Sequence, residues 1–332
     1  MTKSFDDFRE CFSKEVSVVV TGHRDADGDA FGAIAALRRH FELEDVEVLA
    51  LLSEPLSRRY TFMTAASKYE VYDPDRHDVL IQKAGVVVVC DLSSLSRLGR
   101  MQAVVEASSG TLVCIDHHPC EGGGPGEVNL LDEKATATGR IVWDYIHHVE
   151  GAIDREIAEA VFVSLCTDTG WFRYSNTDVD VLQLASELAE HRLDLPAIYD
   201  SIYQANPLAT LRLLGHVVRT MTDECEGSFV WAQIHRHLMD DLGVEDFEPD
   251  PILDVMRSGE SVEVVALFVE IDGGRVKGSL RSQGAVDVNQ IAREFGGGGH
   301  SYAAGVVFEE GTAEEGVRGV VSQLRKKIRG GP

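Results

Sequence analysis

Hydrophobic residues in the first half of the chain form short continuous runs, separated by longer segments with helical spacing. The runs are rich in valine and isoleucine, as is typical of parallel strands buried on both faces of a sheet. Strands are predicted at residues 16–21, 46–51, 85–91 and 111–116. Helices are predicted at residues 29–41, 97–107, 153–167, 180–191, 195–204 and 207–221. The pattern therefore predicts an α/β domain with a parallel sheet and flanking helices.

The pattern changes after the polar segment 222–227, which marks the entry to a second domain. Strands are predicted there at residues 229–234, 262–270, 275–281 and 303–308, and helices at 252–256, 289–295 and 313–329. The predicted organisation is a first domain over residues 1–190, a helical linker over 191–222 and a smaller α/β domain over 223–332.

Composition supports a chain with packed cores and no membrane segment. The 332 residues are 44% hydrophobic, which suffices for two domains. No apolar run reaches the ~18 residues of a transmembrane helix, and the charged N-terminus lacks the apolar core of a signal peptide. The six cysteines include no C-x-x-C pair, which argues against a zinc ribbon. We therefore expect a cytoplasmic protein.

The net charge of −24 limits the class of partner. Proteins that hold long nucleic acids by their phosphates carry a basic face, whereas the overall field of this chain repels polyanions. The charge favours short oligonucleotides or small nucleotides as partners. We expect neither long duplex nucleic acid nor a membrane as a partner. An interpretation in which the acidity serves solubility alone remains equally open.

Acidic residues and histidines collect where the predicted strands and one helix end. Taken singly, each has an ordinary explanation as a helix cap, a turn residue or a surface histidine. Their coincidence at four chain segments is the signal, because the carboxyl ends of parallel strands meet at one edge of the sheet. The predicted metal ligands are His23, Asp27, Asp29, Asp91, His117 and Asp168.

The residue types in this set indicate two divalent cations. Crowded carboxylates repel one another unless cations compensate them. Aspartate with histidine fits Mn²⁺, with Mg²⁺ as a possible substitute, better than it fits a thiolate zinc site. Six ligands suit two ions that share a carboxylate, and two such ions can support phosphoryl transfer. The sequence thus predicts a two-metal phosphoesterase.

Motifs in the first domain carry a resemblance to a known family. The tripeptide DHH stands at residues 116–118, after an opening segment at 23–32 and a D-x-S-x-x-x-R-L-G segment at 91–99. A T-D-T-G-x-F-R segment follows at 167–173. In this order they resemble the DHH phosphoesterase superfamily, with Ala26 at a position where the family has proline.

The second domain extends the resemblance to residues 16–308. The segments SLRS at 279–282, VDV at 286–288, FGGGGH at 295–300 and AAG at 303–305 are similar to the DHH-associated substrate-binding domain. The length of the chain, with no added sensor or membrane segment, most resembles the nanoRNase group. The resemblance implies hydrolysis of di- to tetranucleotides to mononucleotides, and also of adenosine 3′,5′-bisphosphate. A phosphodiesterase for cyclic or linear signalling dinucleotides is the alternative, and a catalytically silent nucleotide sensor is a further one.

The resemblance also assigns roles to the metal-site residues. It implies a first ion at His23, Asp27 and Asp91, and a second ion at Asp29, Asp91, His117 and Asp168. Asp91 would bridge the ions, and a water between them would attack phosphorus. Asp116 and His118 are the predicted catalytic residues: Asp116 would orient a neighbouring histidine, and His118 would meet the scissile phosphate.

A second group of residues is expected to bind substrate: Arg97, Arg281, Ser282, Gly297, Gly298, Gly299 and His300. Glycines let backbone N–H groups approach an anion, and Arg281 can bind a terminal phosphate. A tight turn is the alternative for the glycines, and an ordinary helix-surface position is the alternative for Arg97. An anion cradle in one domain and metals in the other predict a preference for very short substrates.

Overall fold

The structure is a computed structural model that describes residues 4–120, 122–244 and 247–330. The chain divides into two compact units, Met1–Ala205 and Asn206–Pro332. The predicted linker does not form a separate element, since residues 191–205 belong to the first unit and residues 206–222 to the second. Within the described ranges, no helix combines the length and apolar character needed to cross a membrane.

The first unit contains a six-stranded sheet in the order β3-β2-β1-β4-β5-β6, and every pair of neighbours is parallel. The strands are β1 Val18–Gly22, β2 Val48–Leu52, β3 Glu70–Val71, β4 Val86–Cys90, β5 Thr111–Asp116 and β6 Val128–Leu131. The order reverses between β1 and β4. In open α/β sheets, ligands bind beyond the carboxyl ends of the strands at such a reversal.

Eight helices accompany this sheet among the described residues. They are α1 Phe5–Arg9, α2 Gly28–Leu43, α3 Pro74–Lys83, α4 Gln102–Glu106, α5 Thr138–His148, α6 Arg155–Asp168, α7 Val179–Ala189 and α8 Leu195–Tyr199. The strands β1 and β4 are buried along their whole length, which explains their continuous valine runs. Helices α2 and α6 pack so closely that a Cβ on Gly32 would lie 2.4 Å from the backbone oxygen of Ala160.

The second unit contains a mixed sheet in the order β11-β12-β10-β9-β8-β7. Its strands are β7 Thr222–Glu224, β8 Phe229–Ile234, β9 Val264–Glu270, β10 Val276–Ser282, β11 Gly298–His300 and β12 Ala303–Phe308. All pairs are antiparallel except β8 with β9. The helices are α9 Leu208–Thr220, α10 Arg236–Leu242, α11 Asp250–Arg257, α12 Val288–Glu294 and α13 Ala313–Gly330.

Each face of the second sheet has its own core. Val265 and Leu267 pack with residues of α9, α10 and α11 on one face. Phe268 and Leu280 pack with residues of α12 and α13 on the other. The predicted fold class, a parallel-sheet domain followed by a smaller α/β domain, is confirmed.

Some predicted elements differ in the structure. The helix predicted at 97–107 is a 3-10 segment, Leu95–Met101, followed by the short α4. The cause is Gly99, whose φ of 60° interrupts the helical path. The helix predicted at 195–204 ends as a π-helical turn, Asp200–Gln204. Strands β3, β6, β7 and β11 and helices α1, α3, α5 and α10 were not predicted.

Candidate metal centre

The reversal point of the sheet brings three of the predicted segments together. Gly22 at the end of β1 pairs with Cys90 at the end of β4, and Cys90 pairs with Ile115 on β5. The residues that follow these positions, His23 and Asp91 and then Asp116, therefore leave the sheet side by side. The parallel register thus explains why segments distant in sequence share one rim.

His23, Asp27 and Asp91 form a first group of donors, with one ligand atom from each lying within 4.8 Å of the others. His23 Nε2 lies 3.7 Å from Asp27 Oδ1 and 3.3 Å from Asp91 Oδ2. Asp27 is the N-cap of α2, and its side chain accepts hydrogen bonds from the N–H groups of Asp29 and Ala30. The cap holds Asp27 in place, and its second oxygen takes no part in these bonds.

Asp29, His117 and Asp168 form a second group at the same spacing. His117 Nε2 lies 3.5 Å from Asp29 Oδ2 and 3.5 Å from Asp168 Oδ2. Its other ring nitrogen, Nδ1, lies 3.2 Å from the backbone oxygen of Ala135. That contact places the proton on Nδ1 and leaves the Nε2 lone pair directed at the carboxylates.

Asp91 stands between the two groups. Its Oδ2 faces His23 at 3.3 Å, and its Oδ1 lies 3.7 Å from His117 Nε2. The backbone of Asp91 has a φ of 60°, a left-handed conformation that is uncommon outside glycine and concentrates at functional sites. Arg97 Nη1 donates to the Asp91 carbonyl oxygen at 3.3 Å, so this arginine braces the bend.

Asp29 is held by three donors that the sequence did not reveal. The backbone N–H groups of Thr138 and Gly139, in the first turn of α5, donate to its two oxygens at 2.8 and 3.0 Å. The Ser164 hydroxyl on α6 donates at 2.6 Å. Thr138 also donates its hydroxyl to Asp91 Oδ1 at 3.1 Å. The carboxylates are thus oriented by groups fixed on helices.

The same arrangement explains why α5 was missed. Its N-cap position is Ala137, which supplies no side-chain cap. The unpaired N–H groups of its first turn bind Asp29 instead, a residue more than a hundred positions earlier in the chain. A helix capped by a distant carboxylate has no capping signal in its local sequence. The amphipathic spacing of residues 138–148 is the signal that could have predicted it.

Asp116 and His118 form a separate pair at the edge of the cluster. Asp116 is fully buried. Its Oδ1 accepts a hydrogen bond from the backbone N–H of His118 and lies 2.7 Å from His118 Nδ1. His118 Nδ1 also lies 3.3 Å from Asp91 Oδ1. Asp116 therefore orients His118 rather than His117.

Burial and like charges perturb the acids strongly. Burial, together with the charge of Asp91, raises the pKa of Asp29 to about 6. Burial and the charge of Asp29 raise the pKa of Asp168 well above its usual range. Burial would also raise the pKa of Asp91, but His118 and His23 lower it below the ordinary value. Crowded carboxylates of this kind are compensated by positive charge from outside the protein.

Burial acts in the opposite sense on the histidines, since it lowers their pKa, but nearby carboxylates outweigh it. Burial lowers the pKa of His23, but the Asp27 and Asp91 carboxylates outweigh it and raise the pKa to about 9. Burial likewise opposes the effect of Asp116 and Asp91 on His118, whose pKa rises to about 10. Among the described residues, His23 Nε2 is buried without a hydrogen-bond partner of good geometry. A buried nitrogen facing two carboxylates fits a metal ligand.

The predicted substrate residues of the second unit lie on strands β10 and β11, with Gly297 just before β11, and β12 runs between these two strands. Arg281 pairs with Ala303, which pairs with His300. Paired residues project to one face of a sheet, so these three form a row about 10 Å long. A parallel row holds Ser279, Gly305 and Gly298. We call this surface the shelf. Gly298 on it is exposed, Ser279 is buried and the other four residues are half-buried. The shelf residues are Ser279, Arg281, Gly298, His300, Ala303 and Gly305.

Not every predicted residue lies on the shelf. Ser282 pairs with Val264, which places it on the opposite face, where its buried hydroxyl donates to Glu263 at 3.0 Å. A Cβ on Gly297 would lie 2.1 Å from the Gly305 oxygen, and Gly299 has a φ of 143°. Of the three predicted glycines, only Gly298 has open space where a side chain would be. Packing or backbone conformation explains Gly297 and Gly299 without a ligand.

Two family profiles match the chain. One, described as the DHH family, N-terminal domain, matches residues 17–165. The other, described as the DHHA1 domain, matches residues 240–329. The chain is also 30% identical, over 316 residues, to a Thermus thermophilus protein named bifunctional oligoribonuclease and PAP phosphatase NrnA. That match covers 95% of this chain and 91% of the relative.

Solved structures give the same result for the fold. The chain is similar to an exopolyphosphatase-related protein from Bacteroides fragilis, with a TM-score of 0.88 and 25% identity over 98% of this chain and 97% of that one. It is also similar to exonuclease RecJ bound to manganese, with a TM-score of 0.51 and 13% identity over 98% and 95% of the two chains. The second likeness concerns the fold alone.

Proposed function

The chain belongs to the DHH family of phosphoesterases, and on that premise we propose that it hydrolyses di- to tetraribonucleotides to mononucleotides and dephosphorylates adenosine 3′,5′-bisphosphate. Hydrolysis of phosphoester bonds follows from the family. The choice of substrates is supported by the Thermus thermophilus relative, which aligns over nearly the whole of both chains. The cyclic-dinucleotide alternative has no such relative among the matches described above.

One observation carries the proposal: Asp91, a member of the first donor group, also lies beside His117 of the second group. His23 and Asp27 lie on one side of its carboxylate, and His117 lies on the other. The donors are oxygens and imidazole nitrogens, which fit Mn²⁺ and accept Mg²⁺. We assign Mn²⁺ as the ion, and the manganese-bound RecJ neighbour has the same fold. When bound, two such ions neutralise the carboxylates and make a water nucleophilic.

The protein's own residues then position the reaction. Thr138, Gly139 and Ser164 hold Asp29 rigidly, so the donors need no rearrangement before they bind an ion. Asp116 fixes the ring of His118 through the contact between its Oδ1 and His118 Nδ1. We propose that a protonated His118 donates to a phosphate oxygen or to the departing oxygen.

The shelf of the second unit is proposed as the site for a terminal phosphate. Arg281 supplies charged donors, and His300 supplies a second polar side chain in the same row. Gly298 lets a phosphate approach the backbone of β11, since no atom lies within 4 Å of its missing side chain. Arg97, which braces Asp91, is proposed to act by fixing that bend. Ser282 holds the loop after β10 through Glu263.

A substrate panel tests this proposal. The protein, loaded with Mn²⁺, is given a dinucleotide, a tetranucleotide, a 20-nucleotide RNA, adenosine 3′,5′-bisphosphate and a cyclic dinucleotide. We expect turnover of the dinucleotide to exceed that of the long RNA by more than about 100-fold in kcat/KM, because the Thermus thermophilus relative is named as an oligoribonuclease. Equal rates on the dinucleotide and the long RNA, or a preference for the cyclic compound, would contradict the proposal.

A further inference from the structure

We infer that Asp250 sets how much a terminal phosphate contributes to substrate binding, by competing with that phosphate for Arg281. The inference rests on the proposed role of Arg281 as a phosphate ligand. It assigns a specificity-determining residue that lies outside every motif recognised in the sequence. Asp250 is the first residue of helix α11, and its Oδ1 lies 2.8 Å from Arg281 Nη2.

The sheet register explains how the two residues meet. On β9, the neighbour of β10 away from the shelf, Val265 pairs with Arg281 and shares a buried cluster with Ile252 and Leu253 of α11. Helix α11 therefore packs on the sheet face that carries the shelf. Its first residue, Asp250, reaches Arg281.

Hydrogen bonding leaves Arg281 able to bind an anion, but with a competitor in place. A guanidinium has five N–H donors. In this structure Nη1 donates to the Leu280 carbonyl oxygen at 3.0 Å, and Nη2 donates to Asp250. The remaining donors can meet a phosphate. A phosphate bound there accepts hydrogen bonds from the Arg281 guanidinium, as Asp250 already does. Two anions would then lie side by side against one cation.

Electrostatics decides the sign of the effect. Asp250 could assist binding by holding the arginine in one rotamer, or oppose it by repulsion. The Arg281 side chain is already tethered by Leu280, and the Asp250 side chain is 58% exposed, so the ordering that Asp250 adds is small. Repulsion acts on both charges of a terminal phosphate, whereas a neutral nucleoside feels none. Asp250 therefore opposes terminal phosphates selectively.

The test measures binding of adenosine 5′-monophosphate and of adenosine by calorimetry, in the presence of chelator so that no metal binds either ligand. Asp250→Asn and Asp250→Ala each remove the charge. We expect both variants to bind the monophosphate about threefold to tenfold more tightly than the wild type, with adenosine unchanged within twofold. The gain should shrink in high salt.

Two further variants make the result specific. Asp272→Asn removes the same charge from another Asp–Arg pair, with Arg236 at 2.7 Å, beyond the opposite end of β10, and should leave both affinities unchanged. In an Arg281→Gln background, replacing Asp250 should have no effect on the monophosphate. Weaker or equal monophosphate binding in both Asp250 variants would overturn the inference, as would a gain that persists without Arg281.

The outcome is separable from that of the proposed function. If the wild type hydrolyses no short RNA but the Asp250 variants bind the monophosphate more tightly through Arg281, the proposed reaction fails and the inference stands. If short RNA is hydrolysed but the Asp250 variants bind the monophosphate as the wild type does, the proposed reaction stands and the inference fails.

Discussion

The two sites of this protein differ in how their residues are held. In the first unit, the metal-centre carboxylates are buried at strand and helix ends, and Asp29 alone receives three hydrogen bonds from α5 and α6. In the second unit, the shelf consists mostly of small residues and carries one arginine, which also contacts Asp250. We therefore expect the first site to be held more firmly than the second.

The difference matches the demands of the two tasks. Metal chemistry requires donors placed within fractions of an ångström, and this precision comes from rigid elements and from hydrogen bonds to the ligands. Binding a terminal phosphate requires one or two charged donors and open space. Changes in the metal centre are therefore expected to abolish catalysis, whereas changes on the shelf should alter affinity and substrate choice. The following predictions probe this contrast in order of expected effect.

The largest effect is expected for Asp91→Asn. This residue faces both donor groups, so the loss of its charge should weaken both ions at once. We expect kcat/KM on a dinucleotide to fall by more than about 1000-fold, equivalent to ~4 kcal/mol of transition-state stabilisation. Stopped assays with saturating Mn²⁺ measure the loss.

The matched control for that variant is Asp132→Asn. Asp132 also follows a strand of the same sheet, but its side chain accepts the N–H of Lys134 in a turn. Activity should stay within twofold of the wild type. A comparable loss in both variants would mean that any aspartate near the strand ends matters, and the special position of Asp91 would be lost.

An intermediate effect is expected for Ser164→Ala, which removes one of the donors to Asp29 and leaves the ligand itself. Partners of this kind are typically worth ~10–100-fold in metal affinity. Calorimetric titration with Mn²⁺ checks the value. Ser108→Ala serves as control, since that hydroxyl donates to the Ile81 carbonyl oxygen beneath another helix. An unchanged affinity in Ser164→Ala would show that the first unit is less rigidly organised than proposed.

The smallest effects come from two neighbouring glycines. Gly299→Ala places a Cβ 2.4 Å from the Ala303 oxygen at a φ of 143°, and should destabilise the protein by ~1–3 kcal/mol. Gly298→Ala meets no atom within 4 Å and should change stability by less than ~0.5 kcal/mol. It should instead weaken binding of adenosine 5′-monophosphate about threefold, measured beside thermal unfolding. Destabilisation by both substitutions would make the glycine run purely structural.

Much of the first unit could be predicted from the sequence, because its signals are local. Continuous valine runs predict buried parallel strands, and the residues that follow them must reach one rim. Five of the six predicted ligands lie at or just after the end of a predicted strand, and Asp168 follows a predicted helix. What could not be predicted was set by tertiary structure: α5 is capped by Asp29 rather than by its own flanking residues, and Thr138, Gly139 and Ser164 belong to no strand end.

The second unit was less predictable for a related reason. The segment 279–282 reads as one motif, but alternation along β10 sends Arg281 to the shelf and Ser282 to the opposite face. Gly297, Gly298 and Gly299 are equivalent in the sequence pattern, and the close approach of β12 to Gly297 and Gly299 distinguishes them from Gly298. The contact of Asp250 with Arg281 depends on helix packing over a sheet, for which a sequence offers no spacing rule.

The most direct test of this account is the metal dependence of dinucleotide hydrolysis by the purified chain. Protein stripped with chelator is titrated with Mn²⁺ while the number of bound ions and the rate are followed together. We predict no hydrolysis in the stripped protein, and full activity as two ions bind per chain. Hydrolysis that persists in excess chelator, or a protein that fills both sites and leaves the dinucleotide intact, would contradict the account.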